Sequence, residues 1–320
     1  MAEIKYNKII VDCYNVIFKA HWIEKESLVK CGSEIVHTEG IIGFFKAVES
    51  YISRFGTEDV KIYWLMDNAK TSVIRYRKAL SDTYKKNRKQ EPEWFYREID
   101  FIELILKYYR NNSELYRLKS LEADDYVMNI LSAFVKPEDK VLMISEDSDW
   151  CRALAGNVHQ YKDQGIYTKE IFLEKKGYMP TYSNICFDKT FYGDKTDNIL
   201  PALPNLPKVY FMDIISKFST ASEFIYAVKS NKLDYLDKGW QMKVLKEEEN
   251  ILMNWNLVES VKIEDETLRK FAYNCSYKQE KLKIIYASLG LIGKFDERIK
   301  PKDTGNDIFD MLSGENLARQ

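Results

Sequence analysis

The apolar positions in the first 190 residues fall into two kinds of run. Three are short and nearly uninterrupted: Lys8-Ile9-Ile10-Val11-Asp12, Val60-Lys61-Ile62-Tyr63-Trp64-Leu65-Met66-Asp67 and Lys140-Val141-Leu142-Met143-Ile144-Ser145. They predict buried strands. The longer runs repeat apolar residues at helical spacing. Glu39 to Phe55 is one, with Gly56 placed to stop it as a C′ cap; Trp94 to Arg110 is a second, and Glu122 to Val135, ended by Pro137, a third. Strands that alternate with helices imply an α/β fold around a parallel sheet. Past residue 190 the pattern changes. Pro201, Pro204 and Pro207 cluster, and helices are predicted at Lys208 to Phe218, after the capping box Thr220-Ala221-Ser222-Glu223, and around 244–258, 265–273 and 276–289. The expected organisation is an α/β domain over 1–190 and a helical region over 191–320. The polar stretch Asp303 to Gln320, with Ile308, Phe309, Met311 and Leu312 as its apolar patch, reads as a loosely docked end.

Composition narrows this picture. Of 320 residues 45% are apolar, enough for a sizeable core. Forty-eight Lys+Arg against 49 Asp+Glu leave a net charge of −1, so polyanions cannot be held by bulk charge and any nucleic-acid contact must be local. Five cysteines without a CxxC pair, and only three histidines, argue against a structural zinc site and fit a reducing compartment. The N-terminus has no long apolar segment, and no apolar run approaches the ~20 residues that span a bilayer. A soluble cytoplasmic protein with no membrane contact is expected.

The charges are unevenly placed. Each strand run ends at or just before a carboxylate, namely Asp12, Asp67 and Asp147, and ligands of open α/β sheets bind at the carboxyl ends of strands. Glu122-Ala123-Asp124-Asp125 opens a helix, Asp147-Ser148-Asp149 follows a strand, and Gly193-Asp194-Lys195-Thr196-Asp197-Asn198 lies in a loop. Singly, each has a structural reading, as a helix-dipole complement or an Asx turn. Together, nine carboxylates on one sheet edge would repel unless cations neutralised them. Hard oxygen ligands select Mg²⁺ or Mn²⁺. Two such ions ~3.5–4 Å apart can activate a water and stabilise the leaving oxygen of a phosphodiester. From Lys70 to Gln90 the chain carries eight cations (Lys70, Arg75, Arg77, Lys78, Lys85, Lys86, Arg88, Lys89) and one acid, Asp82. Such a patch fits a nucleic-acid backbone running into a metal site. Trp94, Phe95 and Tyr96 follow, as core anchors or as a stacking surface.

These motifs resemble the flap endonuclease / 5′→3′ exonuclease superfamily, and within it the T-even bacteriophage ribonuclease H branch. The resemblance is carried by Asp67-Asn68-Ala69-Lys70, Tyr84-Lys85-Lys86-Asn87-Arg88, Glu122-Ala123-Asp124-Asp125, Ser145-Glu146-Asp147-Ser148-Asp149 and Gly193-Asp194-Lys195-Thr196-Asp197-Asn198-Ile199, in the family's order over about residues 8–230. It implies a PIN-like parallel sheet flanked by helices, a basic helical arch at about 70–98, and a C-terminal region with a helix-hairpin-type DNA-binding motif. It assigns Asp12, Asp67, Glu122 and Asp124 to a first metal site. Asp125, Asp147, Asp149, Asp194 and Asp197 go to a second, with Mg²⁺ as the ion and Mn²⁺ able to substitute. Lys85 and Arg88 match the arch residues that steer the scissile phosphate and stabilise its charge. They lie at i and i+3 if that segment is helical. Tyr84, Lys86 and Lys89 belong to the same substrate-binding stretch. The implied substrates are DNA and RNA–DNA hybrid duplexes with 5′ ends or flaps, and the products carry a 5′-phosphate and a 3′-hydroxyl. The implied setting is primer removal in phage replication by a monomer, with a single-strand-binding protein or sliding clamp as partner.

Two stretches depart from the family pattern. Asp12 is followed by Cys13 where glycine is usual. In Pro201-Ala202-Leu203-Pro204-Asn205-Leu206-Pro207-Lys208, Ala202, Asn205 and Pro207 stand in place of three glycines. Such glycines let backbone approach a phosphate or a monovalent cation, so their loss counts against a potassium-type site. Duplex binding then rests on Lys208 and Lys217, unless these are simply solvated. The competing readings are a PIN-type single-strand ribonuclease, a non-catalytic DNA-junction scaffold, and an aspartyl phosphatase. The long second region and the 193–198 loop argue against the first and the full carboxylate set against the second. The phosphatase motif's second aspartate is missing after Asp12-Cys13-Tyr14.

Overall fold

The computed structural model describes residues 4–23, 26–31, 34–67, 75–87, 89–118 and 121–291. Within them the α/β expectation is met. A seven-stranded sheet has the order β8-β7-β6-β1-β4-β5-β9. The strands are β1 (Tyr6–Asp12), β4 (Gly56–Leu65), β5 (Ser113–Tyr116), β6 (Val141–Ile144), β7 (Val158–Lys162), β8 (Gly165–Tyr167) and β9 (Tyr273–Cys275). The five central strands run parallel, and β8 and β9 close the two edges antiparallel. A separate antiparallel hairpin joins β2 (Leu28–Cys31) to β3 (Glu34–His37).

Alternation along the strands separates two cores. Ile10, Tyr63, Leu65 and Met143 enter one apolar cluster; Ile9, Val11, Ile62, Trp64, Leu142 and Ile144 enter the other. Both faces are therefore covered, which is why the strands read as continuous apolar runs. The second cluster is roofed by α1 (Cys13–Ile23), α2 (Glu39–Phe55), α4 (Glu93–Tyr109) and α13 (Gln279–Ser288). Cys13 lies fully buried in it, where the family usually has glycine. The first cluster takes α5 (Ala123–Phe134), α6 (Lys169–Lys176), α7 (Tyr182–Tyr192), α8 (Lys208–Lys217), α9 (Ala221–Lys229), α10 (Lys238–Lys246), α11 (Glu248–Val258) and α12 (Asp265–Phe271). It runs without a break from Ile10 to Leu268, and residue 190 falls near the end of α7 inside it. The short α3 (Arg75–Leu80) precedes the turns at 82–87.

Local chemistry accounts for the boundaries. Glu122 caps α5, its backbone N–H donating to the Asp125 carboxylate at 3.2 Å, and Thr220 and Glu223 form the expected reciprocal box on α9. Gly56 stops α2 as expected, its N–H donating to the Ile52 carbonyl, but it does so in an extended conformation, with φ −74° and ψ 151°, as the first residue of β4. A Cβ there would lie 2.7 Å from the Ile52 carbonyl oxygen, so close approach, not left-handedness, selects glycine. The 244–258 segment is two helices meeting at Glu247, and β9 adds a strand that the pattern did not predict.

The basic segment differs from a regular arch helix. Residues 82–87 form turns, and Lys85 has φ +54°. The i,i+3 pairing of Lys85 with Arg88 therefore does not hold through a helix, and Arg88 itself, like Lys70, lies outside the described residues. Phe95 is buried, and Trp94 stacks on His37 with centroids 4.3 Å apart and packs against His21 at 4.6 Å, so both are anchors of the fold.

Candidate active site

The carboxyl ends of β1, β4 and β6 open on one cavity of about 370 Å³. Six carboxylates line it: Asp12, Asp67, Glu122, Asp124 and Asp147 from the predicted set, and Glu91 ahead of α4. Tyr14, Phe18, Lys85 and Lys89 contribute to its walls. The parallel register brings the strand ends level, since Asp12 pairs with Leu65 and Val11 with Ile144. Each acid is then aimed by a specific donor. Ser145 Oγ donates to Asp12 Oδ2 at 2.7 Å, and the Asn15 N–H to Oδ1 at 3.1 Å. The Ala123 N–H at the start of α5 donates to Asp67 at 2.6 Å. Trp150 Nε1 donates to Asp124 at 3.1 Å. Asp147 accepts from the Asp149 N–H at 2.9 Å, and its own N–H donates to Ser145 Oγ at 3.1 Å.

A second group lies beside the first. One carboxylate oxygen each from Asp149, Asp194 and Asp197 come within 4.8 Å of one another. The 193–198 loop is folded for this. Gly193 has φ +79°, where a Cβ would lie 2.6 Å from the Ile199 carbonyl oxygen, and Asp194 and Ile199 exchange backbone hydrogen bonds of 2.9 and 2.8 Å.

Two predicted residues have other tasks. Asp125 is fully buried and does not line the cavity. Its oxygens accept from Arg77 at 2.9 Å, from the Val261 N–H at 3.0 Å and from the Glu122 N–H, so its carboxylate holds the fold rather than a metal ion. Tyr84 is also buried, out of reach of a stacking base. Its hydroxyl lies 3.4 Å from Glu122 and 3.3 Å from Asp197, where it joins the two acidic groups.

Protein cations take part of the neutralising role that charge repulsion alone had assigned to metals. Lys85 Nζ bonds Glu122 and lies 3.7 Å from Asp197, while its backbone N–H donates to the Asp197 carbonyl at 2.9 Å. Arg77 reaches Glu122 at 3.0 Å, and Arg152 reaches Asp149 at 3.2 Å. Lys189, on the last turn of α7, pairs with both Asp149 and Asp194. The sequence reading missed Lys189; its only signal is a lysine five residues before Asp194. Lys89 is exposed at the cavity and Lys86 is exposed in the turn at 82–87, while Lys208 and Lys217 are exposed on α8, with Lys217 Nζ 3.6 Å above the Tyr235 ring. In the loop before α8, Asn205 adopts φ +65° and so supplies the left-handed residue that glycine usually provides.

The electrostatics favour a cation. Burial, then the neighbouring Glu122 and Asp124 charges, push the Asp67 carboxyl up to about 7, and burial, then Asp124, push Asp147 up to about 6. Burial raises Asp12 and Glu122 as well. Asp124 goes the other way. Burial opposes its charge, but Lys85, Arg152 and Arg77 together outweigh that. Asp194 likewise falls to about 2, the Lys189 charge and hydrogen bond overcoming its burial. The unfolded chain releases such protons near pH 4, whereas the folded protein holds those of Asp67 and Asp147 longer. Their ionisation therefore costs stability as pH rises from about 4 to 7. A divalent ion competes for the same oxygens, so the donor set fits one.

Lys189→Met tests the counter-charge role. Uncovering Asp149 and Asp194 is expected to destabilise the metal-free protein by about 3–5 kcal/mol, the usual cost of breaking a buried pair. Mn²⁺ should then restore more of the melting temperature than it adds to wild type. Equal Mn²⁺-induced shifts in the two proteins, read by thermal unfolding with and without EDTA, would remove Lys189 from the site.

The comparisons with known proteins give the family and the fold. The family model described as "5'-3' exonuclease, N-terminal resolvase-like domain" matches residues 7–177, more than half of the chain. The chain belongs to the 5′-3′ exonuclease family. A 5′-3′ exonuclease of Buchnera aphidicola subsp. Acyrthosiphon pisum is 25% identical over 288 residues, covering 85% of this chain and 95% of that protein. The fold is similar to that of the bacteriophage T5 D15 protein co-crystallised with metal ions, with TM-score 0.59 at 18% identity over 96% of this chain and 98% of the other. A bacteriophage T5 flap endonuclease variant, in a pseudo-enzyme–product complex with DNA and metal ions, gives TM-score 0.55, also at 18% identity, over 96% and 99% of the two chains. No helix among the described residues of this exonuclease-family chain is long and apolar enough to cross a membrane.

Proposed function

We propose that this family member hydrolyses phosphodiesters at 5′ ends and flaps of duplex DNA and of RNA-primed DNA, with Mg²⁺ as its ion, in the removal of primers during phage replication. The observation that carries this reading is the convergence of Asp12, Asp67, Glu122, Asp124 and Asp147 on one open cavity whose rim holds the exposed Lys89. Asp12, Asp67, Glu122 and Asp124 would hold one ion, and Asp147, Asp149, Asp194 and Asp197 the other. Bound there, the ions would supply an activated water and charge stabilisation for a leaving oxygen.

The chain's own residues do the rest. Ser145, Asn15, Ala123 and Trp150 fix three of the carboxylates by hydrogen bonds, so they need not reorganise when a substrate enters. Lys85, half-buried between Glu122 and Asp197, brings a positive charge to the junction of the two acidic groups. Phe18 and Tyr14 give the cavity an aromatic wall on which a terminal base can rest. Lys89 on the rim, Lys86 in the adjoining turn, and Lys208 and Lys217 on α8 supply separated phosphate contacts suited to a duplex longer than the cavity. Such placement suits a monomer working on a junction.

The test is a substrate panel. Flap, nicked and RNA-primed duplexes with a 5′ label, and single-stranded RNA, are incubated with Mg²⁺ or EDTA. Cleavage of the three duplexes in Mg²⁺ alone is expected. Cutting of single-stranded RNA with no cleavage at junctions would transfer the site to the PIN-type ribonuclease reading.

A further inference from the structure

Two of the protein's three histidines converge with two glutamates that belong to none of the acidic motifs. His21 lies in the last turn of α1, His37 ends β3, Glu39 opens α2 and Glu98 lies in α4. His21, Glu39 and Glu98 are all more than nine-tenths buried. One donor atom from each lies within 4.8 Å of the others.

The arrangement has the layers of a built metal site. In each carboxylate one oxygen is held by backbone and the other faces imidazole. Glu98 Oε1 accepts from the Gly40 N–H at 2.8 Å, while Oε2 lies 2.9 Å from His21 Nδ1. Glu39 Oε2 accepts from the Ser27 and Thr38 N–H groups at 3.2 and 3.0 Å, while Oε1 faces His37 Nδ1 at 2.8 Å and His21 Nδ1 at 4.0 Å. Carboxylates anchored in this way are what oriented ligands require. Tetrahedral ligands with ~2.0–2.2 Å bonds stand ~3.3–3.6 Å apart, and the two His21–carboxylate distances bracket that value. Among the described residues no lysine or arginine pairs with Glu39 or Glu98, in contrast to the lysine- and arginine-lined acids of the active site. A Cβ on Gly40 would lie 2.6 Å from Glu98 Oε2, so a side chain there would push that carboxylate out of its present position.

We propose that His21, Glu39 and Glu98 form a second, structural metal site for Zn²⁺ or an ion of similar preference, with His37 steadying the Glu39 ligand from the rim. A mixed imidazole–carboxylate set selects such ions, whereas the all-oxygen active site selects harder ones. The ion clamps α1, α2 and α4. Because α4 begins just after Lys89 and Glu91, which line the catalytic cavity, the clamp fixes one end of the basic segment. Histidine and cysteine counting had argued against structural zinc. That argument counted CxxC pairs and histidines, whereas this site needs one histidine, with two glutamates, drawn from three separated helices.

The test uses Co²⁺ as the probe, added to the full-length, chelator-stripped protein in excess Mg²⁺, which keeps the oxygen-rich site filled. An intense visible band of four-coordinate Co²⁺, saturating at a single equivalent and accompanied by quenching of Trp94 fluorescence, is expected. Asp67→Asn should keep the band and His21→Gln should lose it. His37→Gln, a rim change that spares the core, should weaken Co²⁺ binding about 10–100-fold, as outer-shell losses do. Weak six-coordinate bands alone in wild type would overturn the proposal, and that reading needs no variant to fold. So would a band that survives His21→Gln, or one that disappears in Asp67→Asn.

Discussion

Asp124→Asn is expected to abolish cleavage while leaving junction binding intact or slightly tighter. Asp124 lines the cavity, is held by Trp150 at 3.1 Å, and stays ionised because Lys85, Arg152 and Arg77 outweigh its burial. It is the cavity carboxylate best prepared to meet a cation without first losing a proton. An amide keeps the shape and the Trp150 hydrogen bond but removes the charge that holds the ion, so the chemistry should fall by many orders of magnitude. Phosphate repulsion falls at the same time, which favours binding. Asp67→Asn should behave similarly, since its carboxylate lines the same cavity and is aimed by the Ala123 N–H. Single-turnover cleavage of a 5′ flap, with filter binding on the same substrate, measures both. Near-wild-type turnover in Asp124→Asn would remove this residue from the metal set.

Lys85→Ala is the second large effect, with an expected fall of about 10²–10³-fold in single-turnover rate. The structure gives a reason that the basic run alone did not. Lys85 is turned inward by a left-handed backbone, pairs with Glu122, and lies 3.7 Å from Asp197. Its charge thus sits where a phosphate drawn between the two acidic groups would arrive. Lys89→Ala removes an exposed cation on the rim and should mainly weaken binding, lowering the salt slope by about one unit with little change in chemistry. Identical behaviour of the two variants in rate and in salt titration would contradict the separation of roles.

The parts of the fold that were legible in the chain are those governed by local pattern. Ile9, Ile10 and Val11 are buried on both faces of a parallel strand, so they leave an apolar run that ends at Asp12. Glu122 and Thr220 mark helix starts because capping is a short-range interaction. The acidic site could be read because strand ends share one edge of a parallel sheet. What stayed hidden depends on contacts between distant segments. A basic run looks alike whether its lysines face water or, as Arg77 and Lys85 do, reach acids 37–48 residues away. Asp125 sits between Glu122-Asp124 and the next turn with nothing local to show that Arg77 and Val261 occupy it. Lys189 bridges Asp149 and Asp194 only because α7 packs against the turn at 148–153. β9 is a three-residue edge strand whose partner lies about 160 residues earlier in the chain, from Ser113↔Cys275 to Leu115↔Tyr273, too short for periodicity to register.

The measurement that bears most directly on the account is the dependence of flap cleavage on divalent ion concentration under single-turnover conditions, with the product ends identified. Two acidic groups that each hold an ion predict no cleavage in EDTA and a rate that rises more steeply than first order in Mg²⁺ before saturating. The fragments should carry a 5′-phosphate and a 3′-hydroxyl. Undiminished cleavage in EDTA would contradict the assignment of the cavity at the ends of β1, β4 and β6 as a metal-dependent nuclease site.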